Sequence, residues 1–313
     1  MVNIYETEGG KLNALQDFEE GCWVKVTAAT MWEMEPVAKK YNIDIEDMRA
    51  ALDEEEKSRI VLEDDYTLVL VDIPASEIQH EKKVYTTIPL GLILADGAII
   101  TICSEDTPIL NTFIKSHVRY FSTKKRTRFV YQILYRATSV YQNYLRVIDK
   151  RRREIEERIS DDTEDKDLID LHELESNLVY FATSLRANGV VLDRLTRYER
   201  LKQFPEDREI LEDVIVENKQ AIEMTAIYRD IINGTRELLS TIIDNRLNNV
   251  MKYLTSITLV MAIPTVISGI YGMNVSGKWM PLSQTPYGFY IVCGIMVLIC
   301  VIVLLILRKR KMV

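Results

Sequence analysis

Two stretches of this chain carry no Asp, Glu, Lys, Arg or His: residues 253–271, 19 long, and residues 286–307, 22 long. The hydrocarbon core of a bilayer, about 30 Å thick, is crossed by roughly 20 apolar residues in an α-helix. Both runs are long enough. Buried core helices are the competing explanation, but such helices keep a polar, charged stripe, and "FYIVCGIMVLICVIVLLIL" has none. The chain therefore reads as crossing a membrane twice near its C-terminus.

The flanks set the orientation. Arg308, Lys309, Arg310 and Lys311 directly follow the second run, and positive charge next to a span stays in the cytoplasm. Two spans joined by a short loop return the chain to its starting side, so both termini are expected in the cytoplasm of a multi-pass plasma-membrane protein. The opening "MVNIYETEGGKLNALQDFEEG" is polar and acidic, so no cleavable signal is expected.

Composition removes several function classes. The four cysteines form neither a disulfide framework nor a zinc spacing, and His80, His117 and His172 are scattered. No Gly-rich phosphate loop, nucleophile elbow or paired-His motif occurs, so neither an enzymatic role nor an organic cofactor is expected. A net charge of −8 without a basic, aromatic surface speaks against nucleic acid.

The first third alternates strand-like and helix-like stretches. "CWVKVTA" and "YTLVLVDIP" read as strands, and "LGLILADGAIITIC" as two strands around a tight Asp96-Gly97 turn. "MWEMEPVAKKYN" and "IEDMRAALDEEE" are helical in composition. The pattern predicts an α/β domain over residues 1–119 and a helical hairpin over 120–205, with "DKRRREIEERISDDTEDKDL" as a solvated face and turn. Pro205 then marks a break. The segment after it reads as one helix, a stalk over 206–249 continuing into a first span at 250–271. A loop at 272–286, a second span at 287–307 and a basic tail at 308–313 complete the chain.

The stalk's apolar positions Ile210, Val214, Ala221, Met224, Tyr228, Ile231, Leu238 and Ile242 recur near every 3.5 residues, which suits packing against other long helices. Gly234 weakens that pattern locally. A neighbouring row runs through Glu237, Asp244, Asn248, Met251, Thr255, Thr258, Ala262, Thr265 and Gly272. It passes from acidic to amide to small hydroxyl and small apolar. Polar groups at membrane depth need a neighbour or water, and several copies in a ring would enclose water where one chain cannot. Thr and Ser also bond their own backbone in membrane helices, and small residues mark plain packing, so the row by itself leaves both readings open.

The segment "NRLNNVMKYLTSITLVMAIPTVISGIYGMN", with two terminal spans and a basic tail, resembles the CorA family of magnesium transport channels. The likeness covers an acidic N-terminal α/β domain, a long helix entering the first span, Gly-Met-Asn at its outer end and a second span. It implies a funnel-shaped homopentamer in a lipid bilayer that passes Mg2+, and Co2+ or Ni2+, inward. Gly272, Met273 and Asn274 are then the selectivity filter, with the Asn274 side chain and Gly272 carbonyl bonding the waters that Mg2+ sheds reluctantly. The family pattern places Asn248, Met251, Leu254 and Thr265 on the pore wall. Met251 and Leu254 would form a dry neck, Asn248 a second station, and Asp244 and Glu237 a cytoplasmic attraction.

Regulatory Mg2+ is implied as well. Residues 1–70 hold 17 Asp and Glu against 7 Lys and Arg, and "DEEE" at 53–56 would repel across subunits unless screened. The family's stalk acid falls at Asp213, but its usual partner falls at Ala50, so Asp47 or Asp53 would have to substitute. A family constriction that is commonly Met falls at Ala262, and Lys278 stands in an outer loop without acids. Intact Met273 argues against the zinc-exporting branch of the superfamily. A non-conducting, membrane-anchored cation sensor is the remaining alternative.

Overall fold

The computed structural model describes residues 1–313 apart from 80–81, 116–117, 159–164, 199–203, 278–279 and 311–313. His80, His117, Lys278 and Lys311, together with part of the charged turn, lie outside the described residues. Contacts divide the chain into two units, Met1–Arg236 and Glu237–Val313.

In the first unit, seven strands form one sheet in the order β2-β1-β3-β7-β6-β5-β4. They are β1 (Val2–Glu8), β2 (Lys11–Leu15), β3 (Cys22–Thr27), β4 (Arg59–Leu62), β5 (Tyr66–Gln79), β6 (Lys82–Ala95) and β7 (Ala98–Cys103). All pairs are antiparallel except β3 with β7. Helices α1 (Met31–Tyr41) and α2 (Ile45–Ala50) join β3 to β4, and α3 (Pro108–Ile114), α4 (Arg126–Arg158) and α5 (Asp165–Leu195) come after β7.

Period-two alternation divides the strand residues between two cores. Cys22, Val24, Val26, Leu68, Leu70, Ile100 and Ile102 pack with Met34, Val37 and Met48 of α1 and α2. Trp23, Val69, Val71, Leu90, Leu92 and Ile99 pack on the other side with Phe113, Phe129, Ile133, Leu192 and Leu211. The sheet is thus the middle of three layers, and each fully buried aliphatic side chain contributes about 1.5–3 kcal/mol. Trp23 meets Phe129 edge-on at 5.0 Å, and its indole N–H donates to Thr101 Oγ1 at 2.9 Å.

The predicted strands and the Asp96-Gly97 turn are present, with Gly97 at φ 77°. The pattern missed β1, β2, β4 and α3. β2 exposes most of its side chains, and β4 is only four residues long, so neither shows an apolar period. The second predicted helix is also shorter than its composition implies, ending at Ala50 instead of running into "DEEE". β5 runs past Pro74 to Gln79 because β4 covers it only as far as Leu70. Beyond that point its second edge is free, and a proline there removes no sheet hydrogen bond. Asn188 of α5 caps this edge at Asp72, accepting from its N–H at 2.9 Å and donating to its C=O at 2.7 Å.

The predicted long helix is α6, Pro205–Tyr271, 67 residues without interruption at Gly234. Its start is clamped by Arg128 of α4, which donates to Asp207 at 2.7 Å and also bonds Glu206. Within the chain the apolar seam is only partly covered. The buried row is Leu211, Val214, Asn218, Ala221, Thr225, Ile232 and Thr235, whereas Ile231 and Leu238 are 39% and 51% exposed. Hydropathy misses this row because three of its members are polar. Asn218 donates to the Leu185 carbonyl at 3.0 Å, and Thr225 and Thr235 bond back to Ala221 and Ile231, so each has a partner for the donor it buries.

The second unit contains the end of α6 and helix α7, Gly288–Lys309. Pro264 lies inside α6 and has no N–H to give the Val260 carbonyl. Cys300 of α7 takes that place, its Sγ donating to Val260 O at 3.8 Å. A polar group that the membrane would leave costly is met by the neighbouring helix.

Candidate functional site

The charge-free runs coincide with two helices long and apolar enough to cross a membrane. In the second unit, Lys252, Ser256, Val260, Ile263 and Ile267 of α6 are covered positions, with spacings of three and four. At about 100° per residue these form one stripe. α7 lies against it, as the Cys300 contact shows.

The row that the sequence assigns to a pore turns away from that stripe. Glu237, Asp244, Asn248, Met251, Leu254, Thr255, Thr258, Ala262 and Thr265 are all exposed, Met251 and Leu254 at 54% and 58%. The three threonines do not offer free hydroxyl protons. Thr255, Thr258 and Thr265 donate to the carbonyls of Met251, Leu254 and Met261 at 2.7, 2.8 and 2.9 Å. Each hydroxyl leaves an acceptor oxygen facing outward.

α6 stops at Tyr271, and Gly272, Met273 and Asn274 form the turn beyond it. The Gly272 N–H donates to Ser268 O at 2.8 Å and the Met273 N–H to Ile270 O at 3.3 Å. Gly272 is not in the left-handed region. A Cβ there would sit 3.2 Å from the Ser268 carbonyl oxygen, so close approach of the helix end, not unusual backbone, is what favours glycine. All three residues of the tripeptide are exposed. The loop is tied down by side-chain hydroxyls on either side of the tripeptide. Tyr271 Oη donates to Pro281 O at 2.8 Å, and Ser283 Oγ to Gly277 O at 2.7 Å. Hydroxyls bonding nearby carbonyls leave no periodic trace in a sequence.

The regulatory candidates lie in the first unit and do not meet. Asp213 is on α6, on the layer that carries Leu211 and Val214. Asp47 is on α2, across the sheet, and accepts from Tyr66 Oη at 2.6 Å. Burial, and then that bond to Asp47, pushes the Tyr66 phenol well above its usual value. Asp53 lies just after α2 and accepts from the Glu55 N–H at 3.1 Å. Asp213 is exposed and lines a groove of about 990 Å³ with Lys115, Arg119 and Arg136. Among the described residues no group of three or more Asp, Glu, His or Cys is placed to hold a metal. A single carboxylate facing three cations does not make a divalent site within one chain.

Fold and site together define a membrane protein with two spans, in which a helix rooted in an α/β unit ends at an exposed, oxygen-bearing turn. The family model described as "CorA-like Mg2+ transporter protein" matches residues 18–309. The cobalt/magnesium transport protein CorA of Methanocaldococcus jannaschii is 31% identical over 285 residues, 88% of this chain and 86% of that protein. The corresponding protein of Thermotoga maritima is 26% identical over 71% of this chain and 64% of its own length. The complete structure of the Methanocaldococcus jannaschii CorA magnesium transporter superposes with a TM-score of 0.84 at 27% identity, covering 99% of this chain and 98% of that one. The chain belongs to the CorA family of Mg2+ transporter proteins. It is a membrane transporter and not an enzyme.

Proposed function

We propose that this chain is the subunit of a homopentameric channel in the plasma membrane that takes up Mg2+, and passes Co2+ or Ni2+, with both termini in the cytoplasm. Family membership over nearly the whole chain, with Gly-Met-Asn at the end of a helix that starts in the α/β unit, carries this reading. Each copy contributes residues 250–271 as the pore-lining span and 287–307 as the outer one. The exposure of the pore row on the side away from the α7 stripe supports that assignment.

Selection rests on neutral oxygens. A ring of Asn274 side chains and Gly272 carbonyls bonds the water shell of Mg2+, which the small ion gives up reluctantly. Without formal charge the ring releases the ion again. Below it, the Thr265, Thr258 and Thr255 oxygens, their protons already given to the helix, accept from the same shell of donating waters. Met251 and Leu254 narrow the path to an apolar neck that closes when it loses water. Asn248 is a second station, and Asp244 and Glu237 draw the cation onward. Ala262 leaves its own level wide.

Intracellular Mg2+ feeds back on the channel in this reading. The acids for it are Asp213 of one copy and Asp47 or Asp53 of the next, brought together only by assembly. The test is the purified full-length protein in liposomes with a Mg2+ indicator inside, alongside particle mass in detergent. Mg2+ influx through a five-copy particle is expected. A monomeric particle, or a pentamer that passes no Mg2+ while its first unit gains protease protection from the ion, would replace the channel with a sensor.

A further inference from the structure

The turn that carries Gly272, Met273 and Asn274 is held at both ends by one short stretch, residues 281–283. Tyr271, the last residue of α6, donates from its hydroxyl to Pro281 O at 2.8 Å, and Ser283 Oγ donates to Gly277 O at 2.7 Å. Residues 271–277 therefore form a loop closed at its two feet, with the tripeptide inside it. The bonds within the loop are short in sequence, as from the Val275 N–H to Met273 O at 2.9 Å. They shape the turn, and the two hydroxyl bonds fix it to the far side of the connection.

Leu282, between the two anchors, is itself in an unfavourable state. Its φ of 61° lies in the left-handed region, which is costly for a residue with a Cβ. Its carbonyl accepts from Thr285 Oγ1 at 2.8 Å and from the Thr285 N–H at 3.4 Å. Gly288, the buried first residue of α7, donates its N–H to Thr285 O at 3.0 Å. A Cβ on Gly288 would stand 1.9 Å from Leu282 O and 2.7 Å from Thr285 Oγ1. A backbone carbonyl does not swing aside as a side-chain tip does, so Leu282 keeps its place only above a bare Cα. Gly294, further along α7, has nothing within 4 Å of its Cβ position. The crowding belongs to the seat and not to the helix.

The geometry points to Gly288 as a positioning residue for the ion-selecting turn: it seats the Leu282 carbonyl and, through Pro281 and Ser283, holds both feet of the loop at residues 271–277. The inference rests on the channel reading and adds to it a residue of the second span, outside the tripeptide and the pore row. A Cβ at position 288 displaces Leu282, and the displacement passes to Tyr271 and Gly277. Neutral oxygens moved out of line bond the Mg2+ water shell more weakly, while the path below them is unchanged. The loss therefore falls first on the concentration at which the ion is captured.

The experiment uses full-length protein in liposomes with a Mg2+ indicator inside. Gly288→Ala is expected to raise the Mg2+ concentration for half-maximal influx at least threefold at unchanged particle mass. Tyr271→Phe, which removes one anchor and adds no bulk, is expected to do the same, and the double variant to go no further than the larger single one, as coupled sites do. Gly294→Ala is expected to leave the value unchanged. Hydrogen exchange in detergent reads the anchoring without transport: peptides covering residues 272–277 should exchange several-fold faster in both variants. Should Gly288→Ala fail to assemble, Tyr271→Phe carries the same two expectations. Unchanged exchange overturns the seat, and faster exchange with an unchanged half-maximal concentration overturns its role in selection. Additive effects, or an equal shift in Gly294→Ala, overturn the route through Leu282. Wild-type liposomes that take up no Mg2+ overturn the channel reading instead, and exchange still decides the seat.

Discussion

The two contact units treat apolar side chains in opposite ways. In the first, Trp23, Phe113, Phe129, Tyr131 and Tyr141 are fully buried. In the second, only 6% of the most apolar window of either spanning helix is buried, and Leu254, Met261, Leu298 and Leu305 are about as exposed as residues on a solvated surface. Water drives the first unit together. The second is completed by lipid and neighbouring helices, where apolar surface has nothing to escape from and packing is carried by small residues and backbone contacts.

Polar groups follow the same division. In the first unit they reach across the fold: Asn188 meets the backbone of Asp72, Tyr141 Oη donates to Asp72 O at 3.1 Å, and Arg128 ties α4 to α6. In the second, Thr255, Thr258, Thr265 and Ser268 of the span bond carbonyls one turn away, while Cys300 reaches across to Val260 of the neighbouring helix. Long-range partners stabilise a tertiary structure. Local ones satisfy a helix before it has any neighbours.

Four substitutions probe this contrast, from the largest effect to the smallest. Asn274→Ala is expected to abolish Mg2+ uptake in liposomes at unchanged particle mass; undiminished flux would remove Asn274 from the filter. Arg128→Met strands the buried Asp207 carboxylate, and removing one partner of a buried pair costs about 3–5 kcal/mol. Urea unfolding of the first unit should register it, while the spans stay inserted. A small loss would mean that water replaces the guanidinium.

Gly91→Ala comes next. Its Cβ would lie 2.6 Å from that of Ala51, at the end of α2, and overpacking of this kind costs about 1–3 kcal/mol. A variant as stable as the parent would show that α2 can lift from the sheet freely. Thr258→Val should lower flux by about two- to tenfold, the scale of one hydrogen bond worth about 0.5–1.5 kcal/mol, because the hydroxyl proton is committed to Leu254 O and the substitution removes the acceptor oxygen left for the hydrated ion. Undiminished flux would instead mean that the Thr258 oxygen handles no water in the path.

Strong, uninterrupted patterns were legible in the sequence: the two charge-free runs, the helix between Pro205 and Tyr271, and the β6–β7 hairpin with its Asp-Gly turn. The elements that escaped carry weaker signals. β2 and β4 are short edge strands with little to bury, and the α6 row includes Asn218, Thr225 and Thr235, which burial accepts only because each finds a carbonyl. The candidate site divides likewise. The tripeptide, with Tyr271 before it, stood out by its position after the first apolar run, whereas Ser283 and the bond from Tyr271 to Pro281, which tie down its loop, did not.

By itself the sequence determined which segments belong in lipid, where the long helix begins and ends, and which residues occupy the turn between the spans. Length, charge and period are local quantities, and lipid, like a helix, responds to them locally. Only the tertiary structure decided which face of α6 is covered, that Cys300 serves the carbonyl left open by Pro264, and that Asp213 looks into a basic groove. Those depend on which distant side chains arrive in one place, and no spacing along the chain records that.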